Sequence, residues 1–529
     1  MYHEDLLSFR HIPTTHTGYN LALHVYSILH EFNIHTKLFC ITSDSASNNG
    51  RMMKELSKLL RKRDGIKWNG PAHHIRCLAH VINLAVKAFL SSLKITKVSD
   101  ENEWFSRDDT EESDIDEENN DSGEEDIYGD EPNCQDDSNE YTDYASFNIA
   151  DTQDFKTVLL KIRTISKSAT VTQKRILSFL SFCQAADLKP LRPVRDHAIR
   201  WSATFNMLAR ALYLRRAIDM WTQSQPIFEK LQMSSHEWDM VEFLVQFLYP
   251  FMVANIKVQV TAKPSLSDTW VVYEALFDML DDAKVALNRL PVLPEWLKDA
   301  RNAIDQMWTK LQKYYDKTDK PFAYVDATLL HPGLKKKFMK KAGYASDTIE
   351  TYVKKAEKRF QMEYDMTQRA PHGHRPIQRG KRRRPSTSDS DSSDGMEYNE
   401  FTSYMQIKRD STITDAIEWW KGSHSMYPRL SKMARDVLAV PATGAGVERE
   451  FSIAGRVVTK QRNQLSPSTI QDLMQYKRWV ARQGTVIPEE EKVWECLLTL
   501  KMMRWTMRWR MKVLRMKRKM KRMVDFLRG

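Results

Sequence analysis

LFCITSDSASNNG, residues 38–50, decides how the chain is read. Four apolar residues, Leu38-Phe39-Cys40-Ile41, run into Asp44 and a cluster of small polar residues. An apolar run closed by turn formers reads as a short buried strand ending in a turn. Asp44 then has two roles open to it. Its carboxylate can close on its own backbone in an ordinary turn, or it can stand at a strand end and face a ligand. Taken alone, the turn is the simpler explanation.

The flanks supply the context. Residues 18–32 place Leu21, Ala22, Val25, Ile28, Leu29 and Phe32 at helical spacing, and a strand at 37–43 follows. Residues 51–63 repeat the helical pattern through Met52, Met53, Leu56, Leu59 and Leu60. A second extended segment precedes Cys77, and 79–93 reads as a helix carrying Val81, Leu84, Ala85 and Ala88. Strands alternating with helices predict an α/β layer with ligands near the strand ends. Beyond residue 153 the pattern is nearly all helical, at 236–256, 268–287, 294–316 and 348–366, and it returns at 413–482. If the closing helices pack back on the opening strands, the middle is an insertion.

Charge is distributed unevenly. The net charge is +11, and residues 501–529 alone hold twelve Lys/Arg against one acid, Asp525. Residues 99–144 hold 21 acids and one base, Arg107. A basic body with an acidic insert and a basic tail suits a polyanion partner, although each run singly can be a solvated surface. The segments 99–146 and 369–404 are poor in aliphatics and are expected to be disordered, since they cannot offset their ordering entropy. The second contains Lys381-Arg382-Arg383-Arg384, a nuclear-import type of cluster. Five scattered cysteines, at 40, 77, 134, 183 and 496, point to reduced thiols in an intracellular protein. No uninterrupted apolar stretch reaches membrane-spanning length, so no membrane partner is expected.

Three further stretches carry chemistry. HHIRCLAHVINL (73–84) offers Cys77-x-x-His80 beside His73 and His74. A structural zinc site wants four ligands in two spaced pairs, and the sequence has no second cysteine pair, so no structural zinc is expected. DHAIRWSATFNMLARAL (196–212) sets Arg200 beside Trp201, a surface that could stack a base and hold a phosphate; the commoner use of such a Trp is core packing. PATGAGVEREFSIAGRVVTKQRNQLSP (441–467) leads small residues into a helix from about Val447. Glu448 lies in its first turn, where it can simply complement the helix dipole. Arg456 and Arg462 follow, and Ser466 is placed to cap a last helix carrying Leu473 and Trp479.

In order, these stretches resemble the hAT superfamily of DNA transposases. The carriers are TSDSASNN, RCLAHVINL, RWSATFNML, LLHPGLKKKF (329–338) and the closing EWWKGSHSMYPRL…VEREFSIAGRVVTKQRNQLSPSTIQDLMQYKRWV, with its Trp pair, Tyr-Pro-x-Leu, Glu-Arg-x-Phe-Ser and Arg-Asn-x-Leu-Ser-Pro. The resemblance implies an α/β fold plus a large all-α insertion: a ribonuclease-H-like core interrupted by helices, mostly α overall. It implies strand transfer by an Asp-Asp-Glu triad through magnesium. Asp44 matches the second Asp and Glu448 the Glu, so both become candidate metal ligands. Cys77 and His80 match the motif beside the active site. Trp201 matches the residue that stacks on a flipped base, with Arg200 at the phosphate; His80, Arg200, Trp201, Arg456 and Arg462 form the candidate DNA-binding set. Trp419, Trp420, Leu430, Phe451, Leu473 and Trp479 form the candidate self-association set.

The organisation implied is a ribonuclease-H-like part in 1–98, the acidic insert 99–146, core continuation in 147–210, helical insertion in 211–368, the linker 369–404, the dimerisation region 405–485 and the basic tail 486–529. The pattern departs from the family at its start. His16-Thr17-Gly18 matches a helix that follows the first catalytic Asp, and Asp5 is too close to be that residue. No BED zinc finger precedes it, and Val447 stands where the family has a small polar residue. The expectation is a nuclear, self-associating, DNA-binding chain without catalysis. Two alternatives stay open: a domesticated regulatory dimer, and an active transposase whose N-terminal exon lies upstream of this sequence.

Overall fold

The computed structural model describes residues 6–12, 15–94, 154–196, 201–259, 266–364, 399–413, 415–457 and 465–482. The acidic insert 99–146, most of the linker 369–404 and the tail 486–529 lie outside the described residues. The described residues fall into two units, one within Ile12–Phe451 and one combining Asp5–His11 with the chain from Ser452.

The first unit opens with helix Gly18–Glu31, capped by Thr17, whose Oγ1 accepts from Asn20 N at 3.2 Å. Helix Ser47–Asp64 packs along it and ends at Gly65, whose φ of 70° is the left-handed conformation that closes helices. Ala22, Met53, Leu56 and Leu60 are fully buried between them. Strand β1, Ile41–Ser43, pairs in parallel with β2, His74–Arg76, in the register Ile41 to His74 and Ser43 to Arg76. The connection crosses helix Ser47–Asp64 at Gly70, where a Cβ would stand 2.3 Å from Met53 O.

β1 is shorter than the strand predicted at 37–43. His35–Lys37 forms a 3-10 turn instead. The Phe39 carbonyl is taken by side chains, accepting from Trp68 Nε1 at 3.0 Å and His73 Nδ1 at 2.6 Å, so it is not offered to a neighbouring strand. Among the described residues the α/β layer is this two-stranded sheet; the rest is helical.

The described residues bury three apolar cores. The first lies between the opening helices. The second joins Leu78–Ser92 to Phe155–Ser168, Trp201–Tyr213, Ser235–Gln259 and Glu295–Tyr315. Helix Ser235–Gln259 is long and apolar enough to cross a membrane, and here Trp238, Leu244, Leu248 and Phe251 bury it in this core. The third core takes Ile75 of β2 together with Phe322–Leu330, Ser346–Arg359, Glu400–Gln406, Ala416–Gly422 and Leu430–Leu438. The helices at 322–360 therefore share a core with the C-terminal region.

Buried polar groups pin the third core. Glu400, 2% exposed, accepts from the backbone N–H groups of Arg429 (3.0 Å) and Leu430 (2.8 Å) and from Arg429 Nε (2.9 Å). It thus caps helix Leu430–Leu438 from a distant element, answering its orphan donors. Helix Glu400–Gln406 begins inside the segment 369–404 that composition assigned to disorder. Its ordering has a cause in Glu400, Phe401 and Tyr404, all buried.

In the second unit, helix Pro467–Arg482 starts at Ser466, whose Oγ accepts from Thr469 N at 3.2 Å.

Candidate functional site

Asp44 stands just past β1. Its Oδ1 accepts from Ala46 N at 3.0 Å and Asn49 Nδ2 at 2.5 Å. One carboxylate oxygen therefore closes the turn, while Oδ2 has no hydrogen-bond partner among the described residues and the side chain is exposed.

Residues 441–444 run back against the sheet and deliver Glu448. Thr42 Oγ1 donates to Pro441 O at 2.7 Å across 399 residues of sequence. Leu78 N donates to Ala442 O at 2.8 Å, and Cys77 N to Ser43 O at 2.7 Å. Thr443 Oγ1 donates to Val258 O at 3.2 Å, tying the same strip to the helical core. Helix Ala445–Val457 then begins, with Glu448 N donating to Gly444 O at 3.0 Å and the Glu448 side chain exposed in the first turn.

Cys77 is the joint between these pieces. Its buried Sγ accepts from Gly444 N at 3.3 Å, and the amides of Ala79 and His80 also face it. Burial pushes the thiol above its ordinary range; the amides partly oppose this, and the Glu448 charge adds to it. The residue is a neutral sulfur acceptor shared by two helix N-termini, not an activated nucleophile. Cys77→Ala is expected to lower stability by about 1–3 kcal/mol, from a lost acceptor and a small cavity. Urea unfolding checks this, and an unchanged midpoint would contradict it.

His73 and His74 spend ring nitrogens on the sheet and its approach. His74 Nε2 lies 2.8 Å from Ser43 Oγ, and burial, with Arg76 adding to it, pushes the imidazole down to about 4. His73 spends Nδ1 on the Phe39 carbonyl, and burial lowers it too. His80 is half-buried. These side chains do not converge with Cys77: among the described residues the group of three or more convergent metal-binding side chains is His30, His35 and Asp64. The same observation bears on magnesium. A two-ion site needs several carboxylates around shared ions. Neither Asp44 nor Glu448 belongs to a group of three convergent donors among the described residues, so the donor set present does not fit such a site.

Several expected roles change with placement. Trp201 is 5% exposed and packs edge-on to Phe205, so it is a core residue and presents no face for a base. Trp420 is 3% exposed and donates Nε1 to Leu330 O at 2.7 Å, and Leu430 is fully buried. Both fill the chain's own third core, which corrects their assignment to a self-association surface. Trp419 is half-buried against Tyr404 and Trp420. Phe451, 61% exposed, and Leu473, 39% exposed, do lie at the surface. Sequence reading passed over their neighbours Val447 and Tyr476, 60% and 62% exposed. The signal was available as i, i+4 spacing of Val447 with Phe451 and i, i+3 spacing of Leu473 with Tyr476. Arg200 and Arg462 lie outside the described residues, as do the side chains of Arg456 and Trp479.

Comparison with known proteins places these elements. Residues 396–480 match the hAT family C-terminal dimerisation region. Residues 1–72 match the ZBED1 RNase-like domain, and 149–247 the ZBED1 RNase-like helical domain. The chain is similar to the "Putative transcriptional regulator tpeD" of Talaromyces stipitatus, 26% identical over 89% of this chain and 49% of that protein. It is similar to the "Putative AC transposase" of Zea mays, 22% identical over 90% of this chain and 52% of that protein. It also resembles the "Zinc finger BED domain-containing protein DAYSLEEPER" of Arabidopsis thaliana, 25% identical over 54% of this chain and 40% of that protein. The chain spans about half the length of the first two of these relatives.

Proposed function

The chain belongs to the hAT superfamily, and from that premise we propose a nuclear protein that self-associates through its C-terminal region and binds DNA without cleaving it. In this proposal β1, β2 and the returning helix Ala445–Val457 are parts of a ribonuclease-H-like core, with the helical core inserted between them. The observation that carries the reading is the joint at Cys77. With the strip 441–444 it ties the strand before Asp44 to the start of the Glu448 helix, yet neither carboxylate belongs to a convergent set of three donors among the described residues. A shared ion without its full oxygen set cannot stabilise both the attacking and the leaving oxygen of a phosphodiester. The basic clusters and the net charge of +11 suit the DNA backbone.

A DNA-binding regulatory dimer is the second reading. It is favoured by the same incomplete donor set and by likeness to a relative named as a transcriptional regulator.

The test is the purified full chain with end-labelled duplex DNA in Mg²⁺ or Mn²⁺. Binding that weakens steeply with salt and leaves the duplex intact is expected. Nicking that disappears in Asp44→Ala would overturn the non-cleaving reading, and absence of binding at low salt would overturn the DNA-binding one.

A further inference from the structure

His30, His35 and Asp64 meet at the far end of helix Ser47–Asp64 from Asp44, about 25 Å away by helix rise. His30 lies in the last turn of helix Gly18–Glu31, His35 opens the 3-10 turn that leads into β1, and Asp64 is the last residue of its helix. His30 Nε2 stands 3.1 Å from Asp64 Oδ2. The His30 and His35 rings lie nearly parallel, 4.0 Å apart. One donor atom from each residue falls within 4.8 Å of the others, and all three residues are half-buried. His35 Nδ1 is buried with no hydrogen-bond partner, a state that folded proteins rarely leave unexplained. Tyr26 donates its hydroxyl to the other carboxylate oxygen, Asp64 Oδ1, at 3.1 Å.

We propose that His30, His35 and Asp64 bind one first-row divalent transition metal of the zinc class. Two imidazole nitrogens and one carboxylate oxygen suit such an ion better than magnesium or calcium, which prefer all-oxygen sets. Tetrahedral zinc with bonds of about 2.0–2.2 Å sets its donors roughly 3.3 Å apart; the donors here lie within 4.8 Å, and binding turns the stacked His30 and His35 rings so that their in-plane lone pairs converge on the ion. The fourth position is left to water. Tyr26 acts from outside the ligand set by orienting Asp64, as partners of metal ligands commonly do. The bound ion clips the ends of both opening helices to the turn before β1, tightening the core around Met53 and Leu56. The expectation of no structural zinc rested on the missing second cysteine pair; this site uses no cysteine, and its carboxylate, Asp64, stands 34 positions after His30, while His30-x4-His35 has an ordinary spacing for a zinc-binding pair. The inference stands apart from the DNA-binding reading.

Co²⁺, which reports tetrahedral N/O coordination by visible absorption, is titrated into the metal-free full chain, and Zn²⁺ is then used to displace it. One saturable site per chain is expected, with a rise in unfolding midpoint on Zn²⁺ addition. His35→Ala and Asp64→Asn are each expected to weaken binding by at least about tenfold, and Tyr26→Phe by about tenfold. Far-UV circular dichroism without metal checks that each variant folds, and the isosteric Asp64→Asn decides if His35→Ala does not. No saturable band in the parent, or undiminished affinity in Asp64→Asn, would overturn the site and assign any bound metal to other histidines.

Discussion

Arg359→Ala lowers the free energy of unfolding by about 3–5 kcal/mol, the cost of leaving a buried charge without its partner. Asp326 is fully buried in helix Phe322–Leu330. Arg359, on helix Ser346–Arg359, grips both of its oxygens, with Nε donating to Oδ2 at 2.8 Å and Nη2 to Oδ1. The guanidinium also lies over the Phe322 ring, 4.8 Å from its centre. Burial raises the Asp326 carboxyl above its ordinary 3.8, and the Arg359 contact only partly opposes this. Without Arg359 the carboxyl is pushed further up. A raised carboxyl in the folded state favours the protonated form, so stability falls as pH rises from 3.8 through the folded value. The deficit of Arg359→Ala is therefore smallest in acid and grows toward neutrality, which denaturant unfolding at several pH values reads directly. Replacing both partners by apolar residues of similar size should recover most of the loss, since the pair itself adds little once its desolvation is counted.

Phe451→Asp shifts the chain to monomer. Phe451 and Val447 expose apolar surface one helical turn apart, within the stretch matching the hAT dimerisation region. A large aromatic at the centre of an interface is commonly worth 2 kcal/mol or more, about a 30-fold weakening, and a buried carboxylate adds to that. Trp420→Ala behaves differently. It removes a core side chain and its hydrogen bond to Leu330 O, so it costs stability in the monomer itself. Light scattering over a concentration range, combined with unfolding curves, separates these two effects.

That contrast marks where sequence reading stopped. Helical periodicity placed the opening helices, Ser235–Gln259 and Glu295–Tyr315 to within a few residues, because each shows one continuous apolar face. The turn after β1 was legible because Asp, Ser and Asn carry their own local bonds. What periodicity cannot say is which partner covers an apolar face. Trp201, Trp420 and Leu430 carry family motifs, and all three are buried within a single copy. Long-range polar pins leave no periodic trace either. Glu400 capping Leu430–Leu438, Arg359 holding Asp326, and Asp64 meeting His30 each join residues 29 to 34 positions apart. The Cys77 joint was half visible. Its motif was recognisable, but its role as acceptor for the Gly444 amide emerges only once 441–444 lies on the sheet.

Self-association on uncleaved DNA is tested most directly by light scattering of the full chain on a defined duplex in Mg²⁺, with the DNA recovered and sized afterwards. Two or more chains on an intact duplex are expected. A single chain on the duplex would refute self-association, and DNA recovered nicked would refute the non-cleaving reading.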